Sequence, residues 1–314
     1  MNALKIAILG SNSHIAKNII VRLVSRMTYD IHLFTRNPEL MSSFLAAAVE
    51  CRGGNLTVHS GYSKFEDEVY DVIINCVGVG TLKKMLSDFT QYFSVGEQFD
   101  NLVINYLKKK GPESLYISFS SGSIYGKDHS EPVNEHTCNC ITVNSVQKED
   151  YYSITRLYTE AKHRAFEKLN IVDLRVFSFF SKYIDLGDGY FITEILNSII
   201  YDKTLITDSR DMVRDYLHPD DLFSMIEACI RMERVNGAYD VVSAKPVSKT
   251  EILKLFSSEF GLKYTVCDFY DFNSATGRKN HYSSEFREAA KIGYVPRFSS
   301  LDTLRQETRK ILLR

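Results

Sequence analysis

Leu4-Lys5-Ile6-Ala7-Ile8-Leu9-Gly10-Ser11-Asn12-Ser13-His14-Ile15-Ala16 is the stretch on which the fold turns. Its apolar run, residues 4–9, is too short for a membrane span or the core of a signal peptide and reads as a strand. Gly10 ends the run, and a helical pattern follows at once. A strand, a tight turn and a helix N-terminus in that order present backbone N–H groups and the positive helix end to a pyrophosphate. Gly10, Ser11, Asn12, Ser13, His14 and Ile15 therefore form the expected cofactor-binding turn. Ser13 and Ala16 stand where glycines are usual. Ala16 still allows close helix packing, whereas Ser13 gives up backbone freedom and offers a hydroxyl.

Further along the chain the same rhythm repeats. Residues 31–35, 56–59, 71–77, 115–120 and 172–177 read as strands, with amphipathic helices between several of them. That alternation predicts an α/β fold, a Rossmann-type doubly wound parallel sheet. After Ser181 the pattern changes to a smaller, helix-rich region. Here we expect helices over 190–200, 249–260, 284–291 and 300–312, another starting at Pro219-Asp220-Asp221, a connector over 203–214 and a strand near 239–243. The expected division is 1–181 for the dinucleotide and 182–314 for a substrate, partly interleaved, with a cleft at the junction.

The chain's 314 residues, 44% hydrophobic and 25% charged, suffice for a sizeable core. A formal net charge of -1 gives no electrostatic reason to expect nucleic acid or an anionic membrane as partner. The six cysteines are scattered and no secretory leader precedes the first strand, so a reduced, cytoplasmic setting is expected. Cys138-Asn139-Cys140 beside His136 lacks a second ligand pair at zinc-like spacing and reads as a surface loop, so no metal is expected.

The second strand closes with Phe34-Thr35-Arg36-Asn37. A carboxylate there would accept from the adenosine ribose hydroxyls and repel a 2′-phosphate, and none is present. Arg36 can pair with that phosphate and stack on adenine, with Thr35 beside it. NADP(H) is thus favoured, with NAD(H) as the alternative. Farther on, Tyr158-Thr159-Glu160-Ala161-Lys162 lies on an expected helix over 153–169 and puts an ammonium and a phenol on one face, a pairing suited to proton transfer. Neither Tyr151 nor Tyr152 has a lysine four residues on; Thr155 and Arg156 stand there.

With Phe119-Ser120-Ser121-Gly122-Ser123-Ile124-Tyr125-Gly126 upstream and Arg214-Asp215-Tyr216-Leu217-His218-Pro219-Asp220-Asp221-Leu222 downstream, the chain resembles the extended short-chain dehydrogenase/reductases that act on nucleotide sugars. The resemblance runs through the closing Ile292-Gly293-Tyr294-Val295-Pro296. It implies that Ser121 hydrogen-bonds the reacting oxygen, that Tyr158 is the acid/base and that Lys162 holds the nicotinamide ribose. Ser123 becomes a second sugar contact, and Arg214 and Arg278 the cations for the nucleotide diphosphate.

The 4,6-dehydratases of that family carry Thr-Asp-Glu where this chain has Ser121-Gly122-Ser123, so elimination is not expected. The reading that remains is NADPH-dependent reduction of a nucleotide-linked keto sugar, with a 4-keto-6-deoxyhexose as the expected substrate. An NAD-dependent nucleotide-sugar epimerase is the alternative, and a non-catalytic nucleotide-binding protein a third. In that third reading, Tyr62 replaces an aspartate that often contacts adenine. The resemblance also implies a homodimer through a four-helix bundle, made by the tyrosine-bearing helix and the one over 95–109.

Overall fold

A computed structural model describes residues 3–26, 28–49, 55–79, 88–126, 129–268 and 280–313. The first strands are β1 (Leu4–Leu9), β2 (Tyr29–Thr35), β3 (Asn55–Ser60), β4 (Val72–Asn75), β5 (Leu115–Ser121) and β6 (Ile171–Val176). The remaining strands are β7 (Ser178–Phe179), β8 (Thr204–Thr207), β9 (Val213–Arg214), β10 (Tyr216–Leu217), β11 (Asn236–Val241), β12 (Val247–Ser248), β13 (Lys263–Val266) and β14 (His281–Tyr282), all but β11 being short. Seven strands form one sheet in the order β11-β6-β5-β4-β1-β2-β3, every neighbouring pair parallel. The expected doubly wound parallel sheet is what forms. Its outermost strand on one side, β11, comes from residues 236–241, so the chain returns to the sheet after an excursion.

The helices are α1 (His14–Ser25), α2 (Pro38–Ala48), α3 (Thr90–Lys109), α4 (Lys148–Ala165), α5 (Phe191–Ile200), α6 (Pro219–Ile230), α7 (Lys249–Phe260) and α8 (Ser300–Leu312). Because a strand's side chains alternate, β1 sends Ile6 and Ile8 to one face and Ala7 and Leu9 to the other. The first pair joins a core with Ile19, Ile20 and Leu23 of α1 and Leu222 and Ile226 of α6. The second joins Val103, Ile104 and Leu107 of α3. Both faces of the sheet are therefore apolar, which is why its strands read as continuous hydrophobic runs. A separate core, with Ile195, Leu196, Ile252, Phe256 and Leu304, holds the C-terminal helices together.

Three expectations shift. The helix carrying Tyr158 starts at Lys148 and not near 153, because the Asp150 carboxylate accepts from the Gln147 N–H at 2.9 Å and fixes the first turn there. Within 203–214, β8 pairs with β13, so the stretch is more than a connector. No α-helix covers 284–291: the Ser284 hydroxyl bonds the buried Asp240 at 2.5 Å, Val133 bridges to Ser284, and only a short 3-10 turn, Glu288–Ile292, forms. Among the described residues no helix is long and apolar enough to cross a membrane.

Candidate functional site

The dinucleotide turn takes shape from Gly10 outward. Its φ of 69° lies in the left-handed region, and a Cβ there would come within 2.9 Å of the Val77 nitrogen and 3.0 Å of the Cys76 carbonyl. Only glycine lets β1 and the end of β4 approach this closely. Ser11 donates to the Phe34 carbonyl at 3.1 Å, and Asn12 Nδ2 donates to Thr35 Oγ1 at 2.7 Å and to the Asn37 carbonyl at 2.8 Å. Ser13 caps α1, its hydroxyl accepting from the Ala16 N–H at 3.2 Å. The side chains thus hold the turn, and the amides of His14 and Ile15 at the helix start have no carbonyl four residues back. His14 itself bonds Ser181 at 2.7 Å, and burial lowers its pKa to about 3, so it stays uncharged. A cradle closed to any Cβ, over a positive helix end, fits a dinucleotide pyrophosphate.

At the end of β2, Thr35 Oγ1 also accepts from the Asn37 N–H at 3.1 Å and is used within the loop. Arg36 is exposed. Burial raises the pKa of the neighbouring Tyr62 phenol, the charge of Arg36 opposes that rise, and the phenol reaches the backbone of Gly10. Tyr62, packed edge-on against Phe99 with ring centroids 4.6 Å apart, thus sits beside the turn where an adenosine would lie.

Ser121 ends β5 and caps the short turn Gly122–Tyr125, accepting from the Ser123 N–H at 3.2 Å. A side chain at Gly122 would overlap the ring of Phe177, so packing alone keeps an acid from that position. Ser123 is 2% exposed, and its hydroxyl has no hydrogen-bond partner among the described residues. Arg214 on β9 donates to the Val213 carbonyl at 2.8 Å; burial lowers its pKa, and the phenols of Tyr216 and Tyr282 face it. Arg278 lies outside the described residues.

The proton-transfer pair requires a correction. Tyr158 is 53% exposed, and Lys162 is committed to α3, paired with Asp100 and donating to Asn101 Oδ1 at 3.1 Å. His163, wedged between Asp100 and Asp173, pins that stretch of α4 to the lower part of the sheet. The structure does not bring Tyr158 and Lys162 to Ser121.

The first turns of α4 do reach that edge. Asn139 ties the Ile124 carbonyl to Ser153 at 3.0 and 3.3 Å, and Arg156 donates to the Phe119 carbonyl at 3.1 Å. Arg156 also lies over the Tyr152 ring, 4.8 Å from its centroid. Tyr152 lies near the phenol of Tyr282, whose oxygen is 2.9 Å from Ser121 Oγ. Ser121, Tyr152 and Arg156 are therefore the residues assembled at the carboxyl ends of β4 and β5. Four-residue spacing alone favoured the pair ending in lysine; the acid in the first turn, Asp150, was the signal that would have placed Tyr152 on the helix.

Below the cluster, Glu160 accepts from Ser120 at 2.6 Å and is paired with Arg175 at 2.7 Å, which leaves it unavailable to neutralise Arg156. Arg156 Nε is buried without a hydrogen-bond partner among the described residues. Cys138 and Cys140 are exposed, as a surface loop requires.

The model of the NAD dependent epimerase/dehydratase family matches residues 6–242. No curated protein matches the chain. Among solved structures, the chain is similar to UDP-glucuronic acid 4-epimerase from Bacillus cereus, bound to UDP-glucuronic acid and NAD, at 18% identity and TM-score 0.77 over 99% of each chain. It is similar to UDP-N-acetylglucosamine 4-epimerase from Methanobrevibacter ruminantium at 16% identity and TM-score 0.81, over 100% of this chain and 99% of that one. Likewise it resembles UDP-glucose-4-epimerase from Stenotrophomonas maltophila at 15% and 0.81, over 98% and 97%. These likenesses show the fold, and none of the three is a reductase. Over residues 6–242 the chain belongs to the NAD dependent epimerase/dehydratase family, and it is an enzyme of the short-chain dehydrogenase/reductase type.

Proposed function

We propose that the protein is a nucleotide-sugar epimerase that inverts a carbinol of its substrate by removing and returning hydrogen. The observation that carries the reading is the packing of α4, with Arg156 over Tyr152 and on the Phe119 carbonyl, against the Ser121 turn, where Gly122 has no room for an acid. That set can move one proton to and from one oxygen and has no second acid with which to expel water. The Gly10 turn with the amides of His14 and Ile15 would hold a dinucleotide pyrophosphate, and Arg156 the nicotinamide ribose. A bound nicotinamide dinucleotide supplies the hydride acceptor and donor. Tyr152 takes the hydroxyl proton as the carbonyl forms and gives it back as the carbonyl is reduced. Ser121 fixes the reacting oxygen, and the Arg156 charge offsets negative charge on the phenol oxygen. Ser123 lines the sugar subsite, while Arg214 is the cation for the nucleotide diphosphate. The resemblance in fold to three UDP-sugar epimerases along the whole chain supports the sugar class.

A second reading, NADPH-dependent reduction of a nucleotide-linked 4-keto sugar, is favoured by the end of β2. Thr35 and Arg36 leave no carboxylate to repel a 2′-phosphate. The two readings separate in one experiment. Purified protein is incubated with NAD+ and UDP-glucose, UDP-N-acetylglucosamine or UDP-glucuronic acid, and separately with NADPH and nucleotide-linked 4-keto sugars, with products read by NMR. Epimer formation without net change at 340 nm supports the first reading, and stoichiometric NADPH consumption the second. Failure of both refutes a nucleotide-sugar substrate.

Exposed Phe93 on α3 and Leu157 and Tyr158 on α4 support a homodimer in which these helices and their mates form a four-helix bundle. In that arrangement Tyr158 serves association, and light scattering giving a monomer mass would refute it.

A further inference from the structure

One contact at the site belongs to none of the roles above: the phenol of Tyr282, from the far C-terminal part of the chain, meets Ser121 Oγ at 2.9 Å. Its backbone is held from both sides. On one, β14 pairs with β9 in parallel, Tyr282 opposite Arg214, and the Val213 N–H donates to the Asn280 carbonyl at 2.7 Å. On the other, His281 donates to the His129 carbonyl at 3.0 Å, and Val133 donates to that of Ser283, also at 3.0 Å. The ring packs against Phe177 with centroids 5.0 Å apart, the same ring that closes the space above Gly122. Three separate stretches of chain therefore converge to place one hydroxyl beside Ser121.

A serine hydroxyl has one proton to give and two positions that accept. The Ser123 N–H fills one acceptor position of Ser121 at 3.2 Å. We infer that Tyr282 is a positioning residue: its O–H fills the second acceptor position of Ser121 and so directs the Ser121 proton into the cleft, toward the reacting oxygen of the substrate. Burial pushes the Tyr282 phenol well above its ordinary pKa, which keeps that proton in place at any working pH. Without the phenol, only the Ser123 N–H still orients the Ser121 hydroxyl, and its proton spends only part of the time on the substrate.

The inference rests on the reading of Ser121 as a contact to the reacting oxygen, and a double-mutant cycle tests it. kcat and KM are measured for the wild type, Tyr282→Phe, Ser121→Ala and the double variant, with thermal melting of each run alongside. Tyr282→Phe keeps the ring against Phe177 and should lower kcat about three- to tenfold while KM stays within about twofold. In the Ser121→Ala background the same change should alter kcat less than about twofold, because the group through which it acts is gone. An unchanged kcat in active Tyr282→Phe, a loss confined to KM, or losses that multiply in the double variant would each overturn the positioning role and leave the epimerase reading standing. A wild type without turnover of any nucleotide sugar would overturn both.

Discussion

Replacing Tyr152 or Tyr158 by phenylalanine separates two assignments that differ by six positions on one helix. At about 1.5 Å and 100° per residue, the two phenols are displaced by about 9 Å along α4 and point about 120° apart. Only one of them can serve Ser121. Tyr152 is in the first turns of α4, with Arg156 over its ring and Tyr282 nearby. Tyr158 is 53% exposed, and its neighbour Lys162 is spent on Asp100. Loss of a positioned acid/base lowers turnover about 10²- to 10⁴-fold, equivalent to about 3–5 kcal/mol of barrier. Tyr152→Phe should therefore lose at least about a hundredfold in kcat while calorimetry shows cofactor binding within about threefold of the wild type. Tyr158→Phe should keep kcat within about twofold. Epimer formation at saturating substrate, followed by NMR, reads both. A Tyr158→Phe enzyme that is dead beside an active Tyr152→Phe enzyme would refute the placement of the site at the start of α4.

Two further outcomes follow from the surroundings of this site. Gly10→Ala should abolish dinucleotide binding by calorimetry, since the added carbon meets backbone at 2.9–3.0 Å and the residue is at φ 69°; binding within about twofold of wild type would contradict the cradle. Burial works against a charged His163, but its hydrogen bonds and ion pairs with Asp100 and Asp173 outweigh that and raise its pKa from 6.5 to about 9. A raised folded-state pKa gives stability that is complete below pH 6.5 and is lost as pH rises through about 9. Chemical denaturation should thus show a fall of about 3 kcal/mol between pH 6 and pH 10, absent in His163→Gln.

The sheet was legible because its cause is local. β1 is apolar on both faces and stops at the one residue able to take φ 69° against β4, and Ser13 supplies a helix cap of the usual chemistry. The C-terminal helices α5, α7 and α8 announced themselves by amphipathic spacing. The short strands β8 and β14 did not, since two to four residues carry too little periodicity and their pairing is decided by partners far along the chain.

The proposed pair, Tyr152 and Arg156, was illegible for a different reason. Spacing establishes that Tyr158 and Lys162 share a face of α4, and equally that Tyr152 and Arg156 do. It says nothing about which face meets the cleft or which end of the helix stands over the carboxyl edge of the sheet. Those are settled by contacts of α4 with other elements: Asn139 at Ser153, Phe119 at Arg156, Ser120 and Arg175 at Glu160, and Asp100 and Asp173 at His163. Arg156 and Glu160 thus meet Phe119, Ser120 and Arg175 near the carboxyl edge, and His163 meets Asp173 two steps below Arg175, so this face of α4 is turned to the sheet while Tyr158, on another face, stays exposed. Preference for a lysine over an arginine favours the later pair, Tyr158 and Lys162, over the pair proposed here. At this site the guanidinium retains the positive charge and adds a fixed hold on the Phe119 carbonyl that a lysine's mobile ammonium would not reproduce in the same plane.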